Sequence, residues 1–356
     1  MITIGVDAHK RVHVALALDD AGRELSEWRG PNSELGWRRL EQWANALGAE
    51  RQVGIEGAWG YGRGLAQHLI AAGETVHEVN PRWTADGRRS ARKPDKTDRQ
   101  DARAVALFVQ REASNLPTIS AEDETALLDL LATEREAAVV ESTRLRNRLH
   151  ALLSQLDPEY HLHMPPMGTK AGRAALRAYQ ASDDRSISLE RAASVRRLAE
   201  RLELVVSQAE AIARRIRELA KPRFAPLTEL HGVSLLTAGT IAGILGPGRR
   251  FSSDAALAAF AAACPLEASS AGHVRHRLNR GGNRRLNAIL YRIALTQAHS
   301  SPLGRAYIAR RRLEGKSWRE AVRALKRHLV RALWRLWERC RSAPDQVSEL
   351  AAAQSA

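Results

Sequence analysis

With 356 residues the chain is long enough for two or three domains, each with its own core. A formal net charge of +15 and a pI of about 10.7 point to a polyanionic partner. Two cysteines, Cys264 and Cys340, are too few and too far apart for a zinc finger or a disulfide framework, which places the protein in an intracellular setting. No apolar run approaches the ~20 residues of a membrane span, and a first strand that already carries Asp7 excludes a signal peptide.

Residues 2–7, 12–18 and 23–28 read as three short strands, with Asp19-Asp-Ala-Gly22 as the turn between the second and third. A helix over 33–47 follows, carrying Leu35, Leu40, Trp43 and Leu47 near helical spacing. Next come a strand ending at Glu56, a Gly-rich link over 57–62, a helix over 65–72 and a strand over 75–79. Three meandering strands and then alternating helix and strand are the element order of an RNase H-like fold. Residues 82–95 are basic and have no hydrophobic period, as expected of a loop that meets nucleic acid.

The acids fall at particular places in this order. Asp7 and Glu56 each end a β-branched run, and ligands of open α/β sheets sit beyond the carboxyl ends of the strands. Asp98 and Asp101 stand three apart where a helix begins, in Lys-Thr-Asp-Arg-Gln-Asp-Ala, with Thr97 or Asp98 as the N-cap. Either pair alone has a plain explanation, as turn formers or as partners of the helix macrodipole. Four carboxylates converging on one edge instead repel unless a cation lies between them, and Mg²⁺ favours a few carboxylates plus substrate phosphates.

From residue 120 to about 222 leucines recur at three- and four-residue spacing among Glu and Arg, in runs over 127–156 and 198–219. Two long amphipathic helices joined by a polar connection over 157–188 form an antiparallel arm or coiled coil, used for self-association or for packing within the chain. Residues 227–248 suggest a helix–hairpin–helix, whose turn amides grip phosphate, or a plain helical turn. Residues 264–287 hold Ser269 and Ser270 beside Arg275, Arg277, Arg280, Arg284 and Arg285. A serine inside such a cluster is either part of a turn or a nucleophile toward a phosphodiester. Residues 271–341 carry 19 Lys and Arg against three Glu and no Asp, a net charge of +16. Arginine dominates at 48 of the 55 basic residues, and its planar fork suits phosphate.

Together these residues resemble the DEDD-type insertion-sequence transposases, the insertion-sequence 110 and Piv-like family. Asp7 in Gly-Val-Asp-Ala-His-Lys looks like the family's first acid, Glu56 in Ile-Glu-Gly its second, and Asp98 and Asp101 its final pair. The block from Glu267 through Arg-Gly-Gly-Asn-Arg-Arg-Leu-Asn287 is similar to its serine-bearing domain. The resemblance covers residues 1–115 and 225–335. It implies a RuvC-like domain with Mg²⁺ held by Asp7, Glu56, Asp98 and Asp101, and a serine that attacks DNA. It further implies a bridge RNA pairing with donor and target DNA, and protomers assembled so that one chain's acids meet another's serine. The family commonly has Ser-Ser-Gly or Ser-Gly where this chain has Ser269-Ser270-Ala271-Gly272. Ser270 is the expected nucleophile, with Ser269 as alternative.

The expected fold class is α/β plus α. A RuvC-like domain spans 1–115, a helical coiled-coil segment 116–222, and a mainly α domain with helix–hairpin–helix and serine loop 223–345, followed by a disordered tail over 346–356. The expected function is DNA cleavage and rejoining by a bacterial insertion-sequence transposase, working with Mg²⁺ as a homo-oligomer at the nucleoid in the cytoplasm. Its expected partners are double-stranded donor and target DNA, contacted by Arg275, Arg277, Arg280, Arg284, Arg285 and Lys96, and a bridge RNA, with no membrane. The rival readings are a hydrolytic RuvC-like junction nuclease, which needs no serine, and a non-catalytic nucleic-acid-binding remnant.

Overall fold

The computed structural model describes residues 1–81, 83–84, 97–116, 118–247, 250–267, 276–279 and 281–342. The chain forms two compact units, Met1–Asp123 with Pro247–Arg250, and Glu124–Gly246 with Phe251–Ala356.

The first unit is built on five strands, β1 (Ile2–Ala8), β2 (Val12–Leu18), β3 (Glu24–Pro31), β4 (Arg51–Glu56) and β5 (Val76–Val79), in the order β3-β2-β1-β4-β5. The first three form an antiparallel meander, while β4 and β5 continue parallel to β1. This is the RNase H-like arrangement that the element order predicts. β1 and β4 are almost wholly buried because helices cover both faces, which is why they read as unbroken apolar runs. Ile4, Val6, Ala15, Ala17, Val53 and Ile55 pack with Leu40 of α1 (Glu34–Leu47) and Leu65 and Leu69 of α2 (Arg63–Ala71). The opposite face, with Val14, Leu16 and Leu18, packs on Ala102 and Ala106 of α3 (Asp98–Glu112).

On that second face the sheet has a trough. Gly5 and Gly54 are partners in the register of β1 and β4. A Cβ on Gly5 would lie 2.2 Å from the carbonyl oxygen of Ala102, and one on Gly54 would lie 2.2 Å from Val109 Cγ2. Two glycines side by side therefore let α3 rest on the strand backbones themselves. Laterally, α3 is fastened to the edge strand. Arg99 pairs with Glu24 and with Glu27 (2.8 Å), and Arg103 pairs with Glu24 (2.9 Å).

In the second unit two long helices, Glu124–Leu156 and Ser186–Phe224, run antiparallel. Leu128 and Ala132 of the first share a core with Ile216, Ala220 and Phe224 of the second. Leu145, Leu149 and Leu153 share another with Val195, Leu198 and Leu202. The second helix begins at Ser186, well before the run read from sequence. The connection, expected to be merely polar, contains the helices Tyr160–His163 and Lys170–Arg177. Met167 and Leu176 of this connection close the end of the pair, which gives its residues an apolar role despite their three prolines. Leu149 is fully buried, so Leu149→Ala is expected to cost about 2–5 kcal/mol in a denaturant titration, with the transfer and cavity terms adding.

After Phe224 the chain makes a 3₁₀ turn, Ala225–Glu229, in place of the separate helix that a helix–hairpin–helix would have there. Gly232 turns with φ +93°, and Ser234 caps the helix Leu235–Leu245. Helices Asp254–Phe260, Arg284–Ser300, Pro302–Leu313 and Trp318–Ser342 complete the core. Trp337 is buried and stacks on Phe224 with ring centroids 5.7 Å apart.

Candidate functional site

Asp7 and Glu56 are direct partners across the parallel strands β1 and β4, two residues beyond Gly5 and Gly54 on the same face. Adjacent strands lie ~4.8 Å apart, so the two carboxylates leave the sheet side by side. On α3, Thr97 is the N-cap and accepts from Gln100 N at 3.3 Å, which puts Asp98 and Asp101 in the first helical turn. The glycine trough sets the depth of that turn above the strand ends.

Asp7, His9 and Asp98 converge. Each offers a ligand atom, and these atoms lie within 4.8 Å of one another. His9 Nε2 is 3.0 Å from Asp7 Oδ2 and 3.6 Å from Asp98 Oδ1, and Arg29 Nη1 is 3.4 Å from Asp98 Oδ2. Asp7 Oδ2 is buried, and apart from the His9 imidazole beside it no group satisfies it. Burial pushes the Asp7 carboxyl above its ordinary range. The nearby Asp101 and Asp98 carboxylates push the same way, and His9 opposes them.

A buried carboxylate oxygen facing a second carboxylate and an imidazole is a donor set that suits a divalent cation. Asp101 is buried and close enough to act on Asp7, but it lies outside the group of three, as does Glu56. Glu56 Oε2 instead accepts from Thr84 Oγ1 at 3.3 Å. Of the four acids read from sequence, two thus meet directly and two flank them. His9, Thr84 and Arg29 were not read as site residues. His9 had a usable signal, an imidazole two positions past a strand-end acid, whereas Thr84 and Arg29 reach the site only through the fold.

In the second unit, strands β6 (Pro265–Glu267) and β7 (His276–Leu278) pair antiparallel, with Leu266 opposite Arg277. Ser269, Ser270 and Arg275 belong to the segment between them, and with Arg280 and Lys96 they lie outside the described residues. The Arg-Gly-Gly-Asn-Arg-Arg-Leu-Asn motif anchors the end of this hairpin. A Cβ on Gly282 would lie 2.5 Å from Ala262 N. Asn283 caps the helix Arg284–Ser300 by accepting from Leu286 N at 2.9 Å, and Asn287 donates to the carbonyls of Ala261 (2.7 Å) and Ala262 (3.1 Å). The buried Lys326 ammonium donates to Asn287 Oδ1 at 2.9 Å. Arg277 and Arg284 are exposed. Arg285 is engaged within the unit, 2.7 Å from Asp129 and 2.8 Å from Glu136.

An RNase H-like sheet with an acidic cluster at its strand ends is a frame used for metal-dependent phosphoryl transfer. Residues 4–158 match the family model of IS110-type DEDD transposases, described as Transposase. Residues 225–309 match a second, described as Transposase IS116/IS110/IS902 family. The chain belongs to the IS110 family of DEDD transposases, enzymes that cut and rejoin DNA. It is similar to the insertion element IS110 uncharacterized 43.6 kDa protein of Streptomyces coelicolor, with 26% identity over 94% of this chain and 93% of the relative. The insertion element IS900 uncharacterized 42 kDa protein of Mycobacterium paratuberculosis is likewise 26% identical, over 93% of this chain and 94% of the relative. T. thermophilus RuvC in complex with a Holliday junction substrate aligns over 33% of this chain and 99% of its own, at 14% identity and a TM-score of 0.27. Among the described residues no helix is long and apolar enough to cross a membrane.

Proposed function

We propose that the protein is a strand-transfer recombinase that cleaves and rejoins DNA with four carboxylates in one unit and a serine in the other. The observation that carries this reading is the buried Asp7 Oδ2, set against Asp98 on one side and next to the register partner Glu56 on the other. Asp7, Glu56, Asp98 and Asp101 are the proposed holders of Mg²⁺, with His9 at the rim. When bound, the metal supplies Lewis-acid polarisation of the scissile phosphate. Asp7, buried on the strand, fixes the position of the site, while Asp98, about two-fifths exposed, faces the side from which a strand can arrive.

Ser270 is the proposed nucleophile, with Ser269 as alternative. Its Oγ forms a bond to phosphorus as one P–O bond of the strand breaks. The proton lost by the serine is balanced by the one gained by the departing strand hydroxyl, and the phosphoserine link keeps the bond energy for rejoining. Arg277 and Arg284, with Arg275, Arg280 and Lys96, are proposed to hold the phosphates. Arg285, already paired with two carboxylates, is kept for the fold. The proposed partners are donor and target DNA and a bridge RNA. The proposed working form is a homo-oligomer at the nucleoid in which one protomer's acids meet another's serine.

Mixing Asp98→Ala protein with Ser270→Ala protein tests the arrangement. Assembly in trans predicts that the mixture regains strand transfer that neither shows alone. No recovery at any ratio, with both variants folded and assembling, would mean that each chain builds its own site. Labelled DNA that stays attached to denatured protein, and is lost in Ser270→Ala but kept in Ser269→Ala, identifies the serine. Cleavage that persists in both serine variants and their double mutant would favour the hydrolytic nuclease.

A further inference from the structure

The two long helices of the second unit meet along an apolar seam at both ends but not in the middle. Beyond Ala132 and before Leu145 on one helix, and beyond Val205 and before Ile216 on the other, the positions lining the gap are Ser142, Ala209 and Ala213, with Val139 and Val206 as its only larger apolar side chains. The space they leave is a cleft of about 400 Å³, against about 30 Å³ for the share of one water in the liquid. Its walls carry four arginines, Arg135 and Arg146 from the first helix and Arg214 and Arg217 from the second, with Glu210 as the one carboxylate. Positions 135, 139, 142 and 146 follow one helical face, so the first two arginines flank the seam rather than the solvent side.

These arginines differ from their neighbours. Arg201 pairs with Glu141, Arg173 with Glu203 and Arg215 with Glu218. Among the described residues the four in the cleft have no ion-pair partner, and the Nε atoms of Arg135 and Arg146 are buried without a hydrogen bond. A buried donor left unsatisfied costs about 1–3 kcal/mol. Leucines at these positions would have continued the seam without that cost. Donors from two helices aimed into one cleft call for an anion with several acceptor oxygens, and the guanidinium fork matches phosphate.

We propose that this cleft binds phosphates of a single nucleic-acid strand, at a site separate from the acidic cluster. A second copy of the chain is the poorer occupant of the cleft itself, because its four arginines against one carboxylate call for an anion rather than for the same arginine-lined face of another chain. Packed helices lie about 8–10 Å apart, so the slot presents itself to one strand's backbone. RNA and DNA offer the same phosphodiester, and the experiment separates them.

The test uses the full chain in chelator, where no cleavage intervenes. Fluorescence anisotropy measures affinity for a 30-nucleotide single-stranded RNA and a DNA of the same sequence across a salt series. Arg135→Gln/Arg146→Gln is expected to weaken binding about tenfold and to make the log–log salt slope shallower by about 1.4, two contacts at about 0.7 each. Its melting temperature should be unchanged or higher, because two costly buried donors are gone. Ser142→Leu, which fills the cleft with an apolar side chain, should lower affinity while stabilising the helix pair, and it keeps the test decisive if the double variant folds poorly. Arg201→Gln, on the same helix pair but outside the cleft, should leave the affinity unchanged. Loss confined to RNA or to DNA names the strand and supports the proposal either way. Unchanged affinity and slope in both cleft variants would overturn it. So would a change of oligomeric state by sedimentation with no change in binding, since the cleft would then hold a second copy. Because binding is read in chelator, where the acidic cluster takes no part, a failure of the cleft is distinguishable from a failure of the metal chemistry.

Discussion

Asp7→Asn is expected to abolish strand cleavage and yet to raise the melting temperature of the chelated protein by roughly 2–4 °C, a gain of about 1 kcal/mol. The Asp7 carboxyl is pushed above its ordinary range by burial and by the Asp101 and Asp98 carboxylates, so the folded chain holds its proton more tightly than the unfolded chain does. For an acid shifted in this direction, stability falls as pH rises from the ordinary value of 3.8 through the folded-state value. Above the folded-state value the wild type bears the full cost, and below pH 3.8 most of the difference between wild type and Asn should vanish. Added Mg²⁺ reverses the order. It stabilises only the chain that binds it, by about 2.7 kcal/mol at a hundredfold excess over Kd. Thermal unfolding with chelator and with metal, at two pH values, measures all of this. An Asp7→Asn protein that melts lower than wild type in chelator would mean that the carboxylate is part of the fold's support rather than a ligand held in reserve.

Gly5→Ala is expected to lower strand transfer by about 10²-fold without touching any acid. Its Cβ would lie 2.2 Å from the Ala102 carbonyl oxygen and 2.3 Å from Ala106 N, both backbone atoms that cannot rotate away. To reach ordinary contact α3 must rise by roughly an ångström, a displacement of the size that costs about 10²-fold when it moves reacting groups. The overpacking itself costs about 1–3 kcal/mol. Gly54→Ala makes the informative contrast, because its close contact is the Val109 side chain. Gly54→Ala/Val109→Ala should regain most of the activity. Ala106→Gly beside Gly5→Ala should regain little, since it leaves the backbone clash in place. Activity assayed well below the melting temperature, together with metal affinity by thermal shift, separates a displaced helix from an unstable one.

The family and the frame of the first unit were legible in the chain itself. Asp7 and Glu56 end apolar runs because β1 and β4 are buried on both faces, and a strand buried in this way announces its end by its first charge. Thr97 and Asp98 mark the start of α3 through ordinary capping chemistry, so the placement of the last two acids followed from local rules. The RNase H-like order followed from strands and helices whose spacing depends on near neighbours.

Convergence was not local. Which acids touch depends on how deep α3 sits, and that is decided by Gly5 and Gly54 meeting across two strands. The same depth brings His9 to Asp7 and Asp98 while leaving Glu56 with Thr84. In the second unit the leucine spacing predicted long helices, but not that Met167 and Leu176 of a proline-bearing connection would fold back over their end. Arg285 and Arg284 are neighbours of one residue type, indistinguishable in sequence. One is bound by Asp129 and Glu136 from a distant helix and the other faces solvent. Patterns set by nearest neighbours along the chain were determined by the sequence alone. Contacts between residues far apart in it were decided only by the packing of whole elements, because a side chain's partners are fixed by which surfaces are buried together.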